Sequence, residues 1–149
     1  GRGDLSHLVF EKSARTLFAL GRGNTNLLQG ARTARVEPLS DGGLVRLTQS
    51  DASGYVALKR FPLAPDGDLL ARVELDAEDA GDLLLLPIWE GETEPRRKQY
   101  ASSRFRAGAN TLYLRVPRTP KLEGLALRWT QARGPIVLRS LEVRAMPGE

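Results

Sequence analysis

Cysteine is absent from this chain of 149 residues, and histidine occurs once, as His7. A disulfide scaffold, a zinc–thiolate site and a cysteine nucleophile are therefore excluded, and so is a metal centre built from several histidines. Long apolar runs are missing too, because the longest, residues 83–89, contains Pro87 and is far shorter than the roughly 20 residues of a membrane span. No transmembrane span is predicted in this chain.

The remaining composition is that of an ordinary globular domain. Hydrophobic residues make up 41% of the chain and charged residues 27%. A chain of about 150 residues buries roughly 68–70% of its unfolded surface, so one domain folds without a metal or a disulfide. We therefore expect no cofactor.

Charge is distributed unevenly along the chain, although the net charge is only +4. Residues 51–94 carry 3 basic and 11 acidic side chains, whereas residues 95–149 carry 12 basic and 3 acidic ones. The favoured interpretation is that acidic and basic strands lie side by side in a sheet and neutralise each other. Nucleic-acid binding is the alternative, but the basic residues are dispersed among apolar ones without a recognisable signature. We predict no nucleic-acid partner.

Most of the chain is predicted to form short β-strands. Residues 69–76 alternate most clearly, with Val73 in the middle of the apolar face. Residues 82–89 are apolar on both faces, which is typical of a strand that is covered on both sides. About nine strands are predicted between residues 27 and 145, with turns rich in Gly and Pro between them. This pattern predicts an all-β, antiparallel sandwich or barrel.

The N-terminal segment has a different pattern. Apolar residues in residues 1–22 recur at helical spacing, which predicts a helical or connecting segment. Strands at residues 7–11 and 16–20 are the alternative. The β-sandwich domain is assigned to residues 23–146, and residues 147–149 to a tail.

No catalytic constellation is recognisable. The chain has no GxSxG elbow and no partner for His7 in a hydrolase triad. Four acids in residues 76–82 can offer oxygen ligands to Ca²⁺, but they lack the spacing of an EF-hand, and a solvated turn is the favoured interpretation. We expect a protein that is not an enzyme, with a small glycan-active enzyme as an alternative.

The segment from Trp89 to Arg104 has the composition of a sugar-binding site. Trp89 ends an apolar strand and is followed by the charged residues 90–98. An aromatic ring can stack on the apolar face of a sugar while polar side chains hydrogen-bond its hydroxyls. The alternative is that Trp89 is buried in the core and the charges are solvated. The predicted ligand-binding residues are Trp89, Glu90, Arg96, Arg97, Tyr100 and Arg104.

Each of these residue types has an expected role. Trp89 or Tyr100 provides the stacking plane, the arginines donate hydrogen bonds, and Glu90 and Glu92 accept them. If the segment is a strand, its period of two places Tyr100, Ser102 and Arg104 in one row, with Gln99 on the opposite side.

The C-terminal half resembles the closing strands of galactose-binding-like jelly-roll domains, the fold of many carbohydrate-binding modules. Residues 105–114 carry Gly108 and Asn110 in the pattern apolar-x-x-Gly-x-Asn-Thr-apolar-x-apolar, and residues 124–129 and 134–143 follow as two further strands of this type. The likeness extends over residues 24–145. It implies an antiparallel jelly-roll β-sandwich in which Gly108 and Asn110 shape a turn.

The resemblance also implies a function. Similar domains occur in extracytoplasmic parts of bacterial proteins that build or modify surface polysaccharide, so a polysaccharide or oligosaccharide is the expected partner, and the periplasm or cell surface the expected location. Other domains of a larger membrane-associated protein are further expected partners. Such modules often carry a structural Ca²⁺, for which the resemblance assigns no ligands on this chain. The alternative function is a structural or protein-interaction domain that orients a neighbouring catalytic or membrane domain.

Overall fold

The structure is a computed structural model that describes residues 6–12, 15–59, 67–98, 100–117, 119 and 121–146. The described chain begins with a helix, α1 (Ser6–Lys12), and a short 3-10 helix lies at Thr25–Leu27. The strands of the described residues are β1 (Arg15–Ala19), β2 (Leu28–Ala31), β3 (Ala34–Pro38), β4 (Val45–Gln49), β5 (Tyr55–Lys59), β6 (Leu69–Ala77), β7 (Gly81–Trp89), β8 (Ala101–Phe105), β9 (Gly108–Val116), β10 (Leu122–Thr130) and β11 (Ile136–Ala145).

The strands form two antiparallel sheets. The six-stranded sheet has the order β3-β4-β11-β6-β9, and β1 pairs with the part of β11 that β4 leaves free. The five-stranded sheet has the order β2-β5-β10-β7-β8. Strands that are neighbours in space are mostly distant in sequence, as in a jelly roll. The predicted antiparallel β-sandwich is confirmed, with eleven strands in the described residues where about nine were expected.

The core lies between the sheets and follows from the alternation of the strands. In β6 every second side chain faces inward, and Val73 is completely buried, whereas Arg72 and Glu74 on the other face are half-buried. Trp129 of β10 and Leu138 of β11 are buried in the same cluster. Burial of apolar surface contributes about 25 cal/mol per Å², so this layer dominates the stability. The predicted inward face of residues 69–76 is confirmed.

The N-terminal segment differs from the helical or connecting segment predicted for residues 1–22. The helix ends at Lys12, and Arg15–Ala19 is a strand of the six-stranded sheet. Its side chains Leu17 and Phe18 pack against the core. Pairing with β11 and burial outweigh the helical spacing, which does not separate a helix from a strand over so few residues. Strand β1 agrees with the alternative strand at residues 16–20, whereas the alternative strand at residues 7–11 is wrong because α1 lies there. Residues 1–5 and the predicted tail lie outside the described residues.

Helix α1 is fixed to the outer face of the six-stranded sheet by Phe10. This ring is fully buried, with the guanidinium carbons of Arg72 and Arg144 at 4.7 and 4.2 Å from its centroid. Arg144 Nη1 also donates to the carbonyl oxygen of Phe10 at 2.7 Å. Such cation–π contacts contribute about 0.5–2 kcal/mol each.

Acidic side chains of the middle segment pair with basic side chains of the C-terminal segment. Asp68 and Asp76 near or on β6 accept from Arg115 of β9 and Arg139 of β11 at 2.9 and 3.1 Å. Exposed pairs of this type contribute about 0–1 kcal/mol each. The neutralisation across neighbouring strands that the charge distribution predicts is confirmed.

Asn110 closes the turn between β8 and β9. Its Oδ1 accepts from the backbone N–H of Arg106 at 3.0 Å, and its Nδ2 donates to the carbonyl oxygens of Arg106 at 2.8 Å and Gly108 at 3.0 Å. Gly108 has a φ of +96°, where a side chain would be strained. The turn predicted from Gly108 and Asn110 is confirmed.

Candidate functional site

Trp89 lies at the end of β7 and is half-buried. The guanidinium carbon of Arg96 lies 4.0 Å from the centroid of its ring, and Lys121 Nζ lies 5.3 Å from the same point. Arg96 is held in place by Glu92, whose Oε2 accepts from its Nε at 3.0 Å. Within the described residues the indole nitrogen is buried and has no hydrogen-bond partner. The ring is therefore already stacked against a cation of the protein itself.

Residues 90–98, which we call the 90–98 loop, cross the outer face of the five-stranded sheet. Glu94 of this loop forms an ion pair with Arg32, in the turn between β2 and β3. Burial raises the pKa of the Tyr55 phenol on β5, and the neighbouring Glu94 carboxylate raises it further. The sheet order places β10 between β7 and β5, so these contacts require the loop to pass over β10.

A second apolar cluster lies under this loop, on the outer face of the five-stranded sheet. It consists of Tyr55, Leu86, Ile88 and Ala126, each of them less than a tenth exposed. Residues 83 and 85 face the main core, so β7 is covered on both faces, as the sequence predicted. The covered part of this outer face is therefore closed to a ligand while the loop is in place.

The open part of the outer face adjoins edge strand β8. Ala101 packs against the core and Phe105 is buried in it, whereas Tyr100, Ser102 and Arg104 point outward and are exposed, Tyr100 by 50%. We call these three residues the Tyr100 row. The structure thus brings Tyr100, Ser102 and Arg104 together in the predicted arrangement, and Gln99 lies outside the described residues.

Two further polar side chains border the Tyr100 row. Asp82 of β7 lies opposite Arg104 in the register, with 3.6 Å between Oδ1 and Nη1. Gln131 Oε1 accepts from Arg104 Nη1 at 3.5 Å. Arg104 is therefore positioned by two neighbours and keeps donors free for a ligand, because a guanidinium has five N–H groups.

Arg128 on β10 was not among the predicted site residues. It lies opposite Leu84 of β7, which in turn lies opposite Ser102 of the Tyr100 row. Burial lowers the pKa of Arg128, and the charge of Arg97 in the 90–98 loop lowers it further. Its position depends on the register of three strands that are far apart in sequence, so no local pattern could identify it.

The other predicted site residues have different surroundings. Glu92 is bound to Arg96 through both of its carboxylate oxygens. Glu90 is exposed, and its backbone N–H donates to the carbonyl oxygen of Lys121 at 2.6 Å. Trp89 and Arg96 thus form one group at the end of β7, separate from the Tyr100 row on β8.

Two clefts accompany the five-stranded sheet. One of about 490 Å³ opens between edge strands β8 and β9. The other, of about 250 Å³, lies over β2 and β5. The larger is lined by Ala80, Ser103, Arg104, Phe105, Arg106, Ala109, Asn110, Thr111 and Leu112, and the smaller by Asn26, Leu27, Gln29, Ala57 and Lys59.

Within the described parts of the chain, no three His, Asp or Glu side chains lie close enough together to hold a metal ion. The acids of residues 76–82 include Asp76 and Asp82, which are held in ion pairs by Arg139 and Arg104. The helices of the described segments are also too short and too polar to cross a membrane.

No protein-family model matches the sequence, and no curated protein matches it either. Solved structures do match the fold. The CBM22-1 xylan-binding domain of Xyn10C from Paenibacillus barcinonensis is 12% identical with a TM-score of 0.71, over 92% of this chain and 98% of that one. A family 29 carbohydrate-binding module from Piromyces equi is 15% identical with a TM-score of 0.62, over 89% of this chain and 90% of that one.

A third similar structure is CsCBM6-3 from Clostridium stercorarium in complex with cellobiose. It is 9% identical with a TM-score of 0.56, over 88% of this chain and 95% of that one. At such low identity these likenesses concern the fold alone. The fold of this chain is the jelly-roll β-sandwich of carbohydrate-binding modules, as the resemblance of its C-terminal strands implied.

Proposed function

We propose that this chain is a non-catalytic carbohydrate-binding module, which binds a polysaccharide or oligosaccharide on the outer face of the five-stranded sheet. The observation that carries the proposal is the Tyr100 row. It presents the hydroxyl of Ser102 and the guanidinium of Arg104 on the outer face of β8, and the exposed aromatic ring of Tyr100 directly before that strand. A sugar ring needs these groups, because its C–H face stacks on an aromatic ring while its hydroxyls require donors and acceptors.

Tyr100 is a better stacking plane than Trp89. The Tyr100 side chain is half exposed, whereas a guanidinium already lies over the ring of Trp89. A sugar could replace Arg96 on that ring only by displacing a cation that is also bound to Glu92. We therefore assign ligand stacking to Tyr100, and assign Trp89 to anchoring the 90–98 loop.

The similar structures support a binding function in place of catalysis. One is described as a xylan-binding domain and another is in complex with cellobiose. Asp82 beside the Tyr100 row and Glu92 beside Trp89 are held in ion pairs by Arg104 and Arg96. Each of them therefore has a structural role in holding an arginine in place.

We propose that this module acts outside the cytoplasm, in a bacterial surface-polysaccharide system. The resemblance of the C-terminal strands supports it. Fractionation of the source cells, together with the full reading frame and its neighbouring genes, tests this context. A cytoplasmic location would contradict it.

Affinity electrophoresis against xylan, a β-glucan and a polyuronate tests the binding function. Tyr100→Ala should lower the affinity for the bound glycan about tenfold, because an aromatic contact contributes about 0.5–1.5 kcal/mol beyond its buried area. The melting temperature should stay unchanged, since the ring is half exposed. Leu8→Ala removes an exposed apolar side chain on α1 and is the matched control. Equal affinities of the two variants would refute the assignment of Tyr100.

A structural role is the second candidate function, and the docking of α1 favours it. Phe10 fixes this helix between Arg72 and Arg144, so a domain preceding it would be held in a defined orientation. Failure to bind any glycan, together with capture of a defined neighbouring domain, would support this function against the first.

A further inference from the structure

A row of polar side chains crosses three strands on the outer face of the five-stranded sheet, at the start of β7. Arg104 of β8 lies opposite Asp82 of β7, and Asp82 lies opposite Thr130 of β10. Residues that lie opposite each other in antiparallel strands share a face of the sheet. Gln131 follows Thr130 and is exposed. The 90–98 loop is hydrogen-bonded to β7 at Pro87, near the other end of the strand, so these contacts leave the row open.

One nitrogen of Arg104 lies between a carboxylate and an amide. Its Nη1 is 3.6 Å from Asp82 Oδ1 and 3.5 Å from Gln131 Oε1. Because the amide oxygen of Gln131 faces the guanidinium, its Nε2 is directed away as a donor. Within the described residues, Asp82 Oδ2, Gln131 Nε2 and the Nε and Nη2 of Arg104 form no hydrogen bond. One surface therefore presents an unused acceptor beside two kinds of unused donor.

Gln131 has a backbone conformation that is unfavourable for its residue type. Its φ is +65°, in the left-handed region that residues other than glycine rarely adopt. Its neighbours hold it there: Ala132 packs against the core, and a Cβ at Gly81 would collide with the carbonyl oxygen of Thr130. A glycine at position 131 would relieve the strain but would lack the amide that contacts Arg104. A strained residue with an exposed polar side chain points to a role in binding.

We propose that Asp82, Arg104 and Gln131 form a subsite for two adjacent hydroxyl groups of a neutral sugar residue, in the glycan that the Tyr100 row binds. A hydroxyl group both donates and accepts hydrogen bonds. One hydroxyl donates to Asp82 Oδ2 and accepts from Arg104, and the adjacent hydroxyl accepts from Gln131 Nε2. The inference rests on the proposed carbohydrate-binding function and names the class of glycan.

The charge balance of the subsite favours a neutral sugar over an acidic one. The guanidinium of Arg104 already faces the carboxylate of Asp82, so the pair has no net charge to offer an anion. A carboxylate or sulfate group accepts hydrogen bonds but donates none. Such a group would leave Asp82 Oδ2 without a donor and would be repelled by its charge.

The position of the subsite also sets a minimum length for the ligand. Arg104 is four residues beyond Tyr100, which corresponds to about 13 Å of extended chain at about 3.3 Å per residue. A ring that stacks on Tyr100 and a pair of hydroxyls at Asp82 therefore belong to different sugar residues. The ligand is thus an oligosaccharide or polysaccharide, and not a single sugar.

Affinity electrophoresis with matched polymers tests the subsite. The neutral probes are xylan, a β-glucan and dextran, and the acidic probe is polygalacturonate. The wild-type protein should bind one neutral probe at least about tenfold more tightly than polygalacturonate. O-acetylation of that neutral probe blocks its hydroxyls and keeps its rings, and should lower its affinity about tenfold.

Gln131→Gly is the decisive variant. It should lower the affinity for the preferred neutral probe about fivefold. Its affinity for the acetylated probe should equal that of the wild type, because the hydroxyls that Gln131 binds are blocked there. The melting temperature should stay unchanged or rise, since glycine tolerates a positive φ. Asp82→Asn keeps the shape of the side chain and should lower the affinity for the neutral probe about tenfold.

The control variant is Gln29→Ala, which removes an exposed glutamine from β2, at the opposite edge of the same sheet. It should bind the neutral probe as the wild type does. An equal loss of affinity in Gln29→Ala overturns the subsite, and so does unchanged binding by Gln131→Gly. A lower melting temperature of Gln131→Gly would assign this residue to the fold and would overturn the subsite as well.

The remaining outcomes separate the inference from the function beneath it. Polygalacturonate binding as tight as that of the best neutral probe overturns the neutral diol subsite and leaves the carbohydrate-binding function standing. The same holds if Gln131→Gly weakens binding of the acetylated and unmodified probes equally. Failure to bind any of the four polymers would refute the proposed function itself.

Discussion

The variant Trp89→Ala tests whether the ring of Trp89 stabilises the fold or binds a ligand. A Trp side chain buries about 150–250 Å² when fully enclosed, and this ring is half-buried, so Trp89→Ala removes on the order of 100 Å² of buried apolar surface. At about 25 cal/mol per Å² that loss amounts to about 2.5 kcal/mol. The lost contact with Arg96 adds about 0.5–1 kcal/mol.

One contribution to the free energy of unfolding makes the Trp89→Ala variant more stable. The indole nitrogen is buried without a partner among the described residues, and an unsatisfied buried donor costs about 1–3 kcal/mol, which truncation removes. We therefore expect Trp89→Ala to lower the free energy of unfolding by about 1 kcal/mol. Trp89→Phe keeps a ring and loses the N–H group, so its stability should lie within about 1 kcal/mol of the wild type.

Urea denaturation followed by circular dichroism measures these changes. A double-mutant cycle with Arg96→Ala isolates the contact between the two side chains, and should yield a coupling of about 0.5–1 kcal/mol. If Trp89→Ala leaves the denaturation midpoint unchanged and abolishes glycan binding, the ring is a ligand platform. Our assignment of Trp89 to loop anchoring would then be wrong.

Three further predictions concern the framework. Val73→Asp places an unpaired charge between the sheets and should unfold the domain; a cooperative unfolding transition like that of the wild type would contradict the core assignment. Asp51→Ala removes the hydrogen bonds that Ser53 donates to the Asp51 carboxylate and that lower the pKa of Asp51 below its ordinary 3.8. The variant should therefore be less stable than the wild type at neutral pH. Acid denaturation should show that this difference disappears as the pH falls from 3.8 through the lowered pKa. Chelators should leave the melting temperature unchanged, because Asp76 and Asp82 already have arginine partners.

Local pattern was sufficient to predict much of the framework. The alternation of residues 69–76 identifies the buried face of β6, because the side chains of a strand alternate strictly. The apolar character of residues 82–89 predicts that both faces of β7 are buried. In the structure one face packs against the core, and the other lies under the 90–98 loop. The Gly108 and Asn110 pattern predicts the turn at the start of β9 because its hydrogen bonds are local.

Long-range pairing was not predictable in the same way. Strand β1 is five residues long, and only its pairing with β11 distinguishes it from a helical segment. At the site, the row of Tyr100, Ser102 and Arg104 is predictable, because it follows from the local period of two alone. The position of Arg128 relative to that row depends on the register across β10, β7 and β8. The contact of Glu94 with Arg32 spans 62 positions of the sequence.

The 90–98 loop connects the framework to the chemistry of the site. Its Glu94 is bound at the far edge of the sheet, to Arg32, and the loop passes over the apolar residues that would otherwise form a flat platform. The open surface of this face thereby includes edge strand β8, beside which the Tyr100 row lies. Loops on a rigid scaffold tolerate change more easily than core strands. In the proposed function, the 90–98 loop and the β8 edge are therefore the elements whose change should most affect the choice of glycan, and the jelly roll determines where these two elements meet.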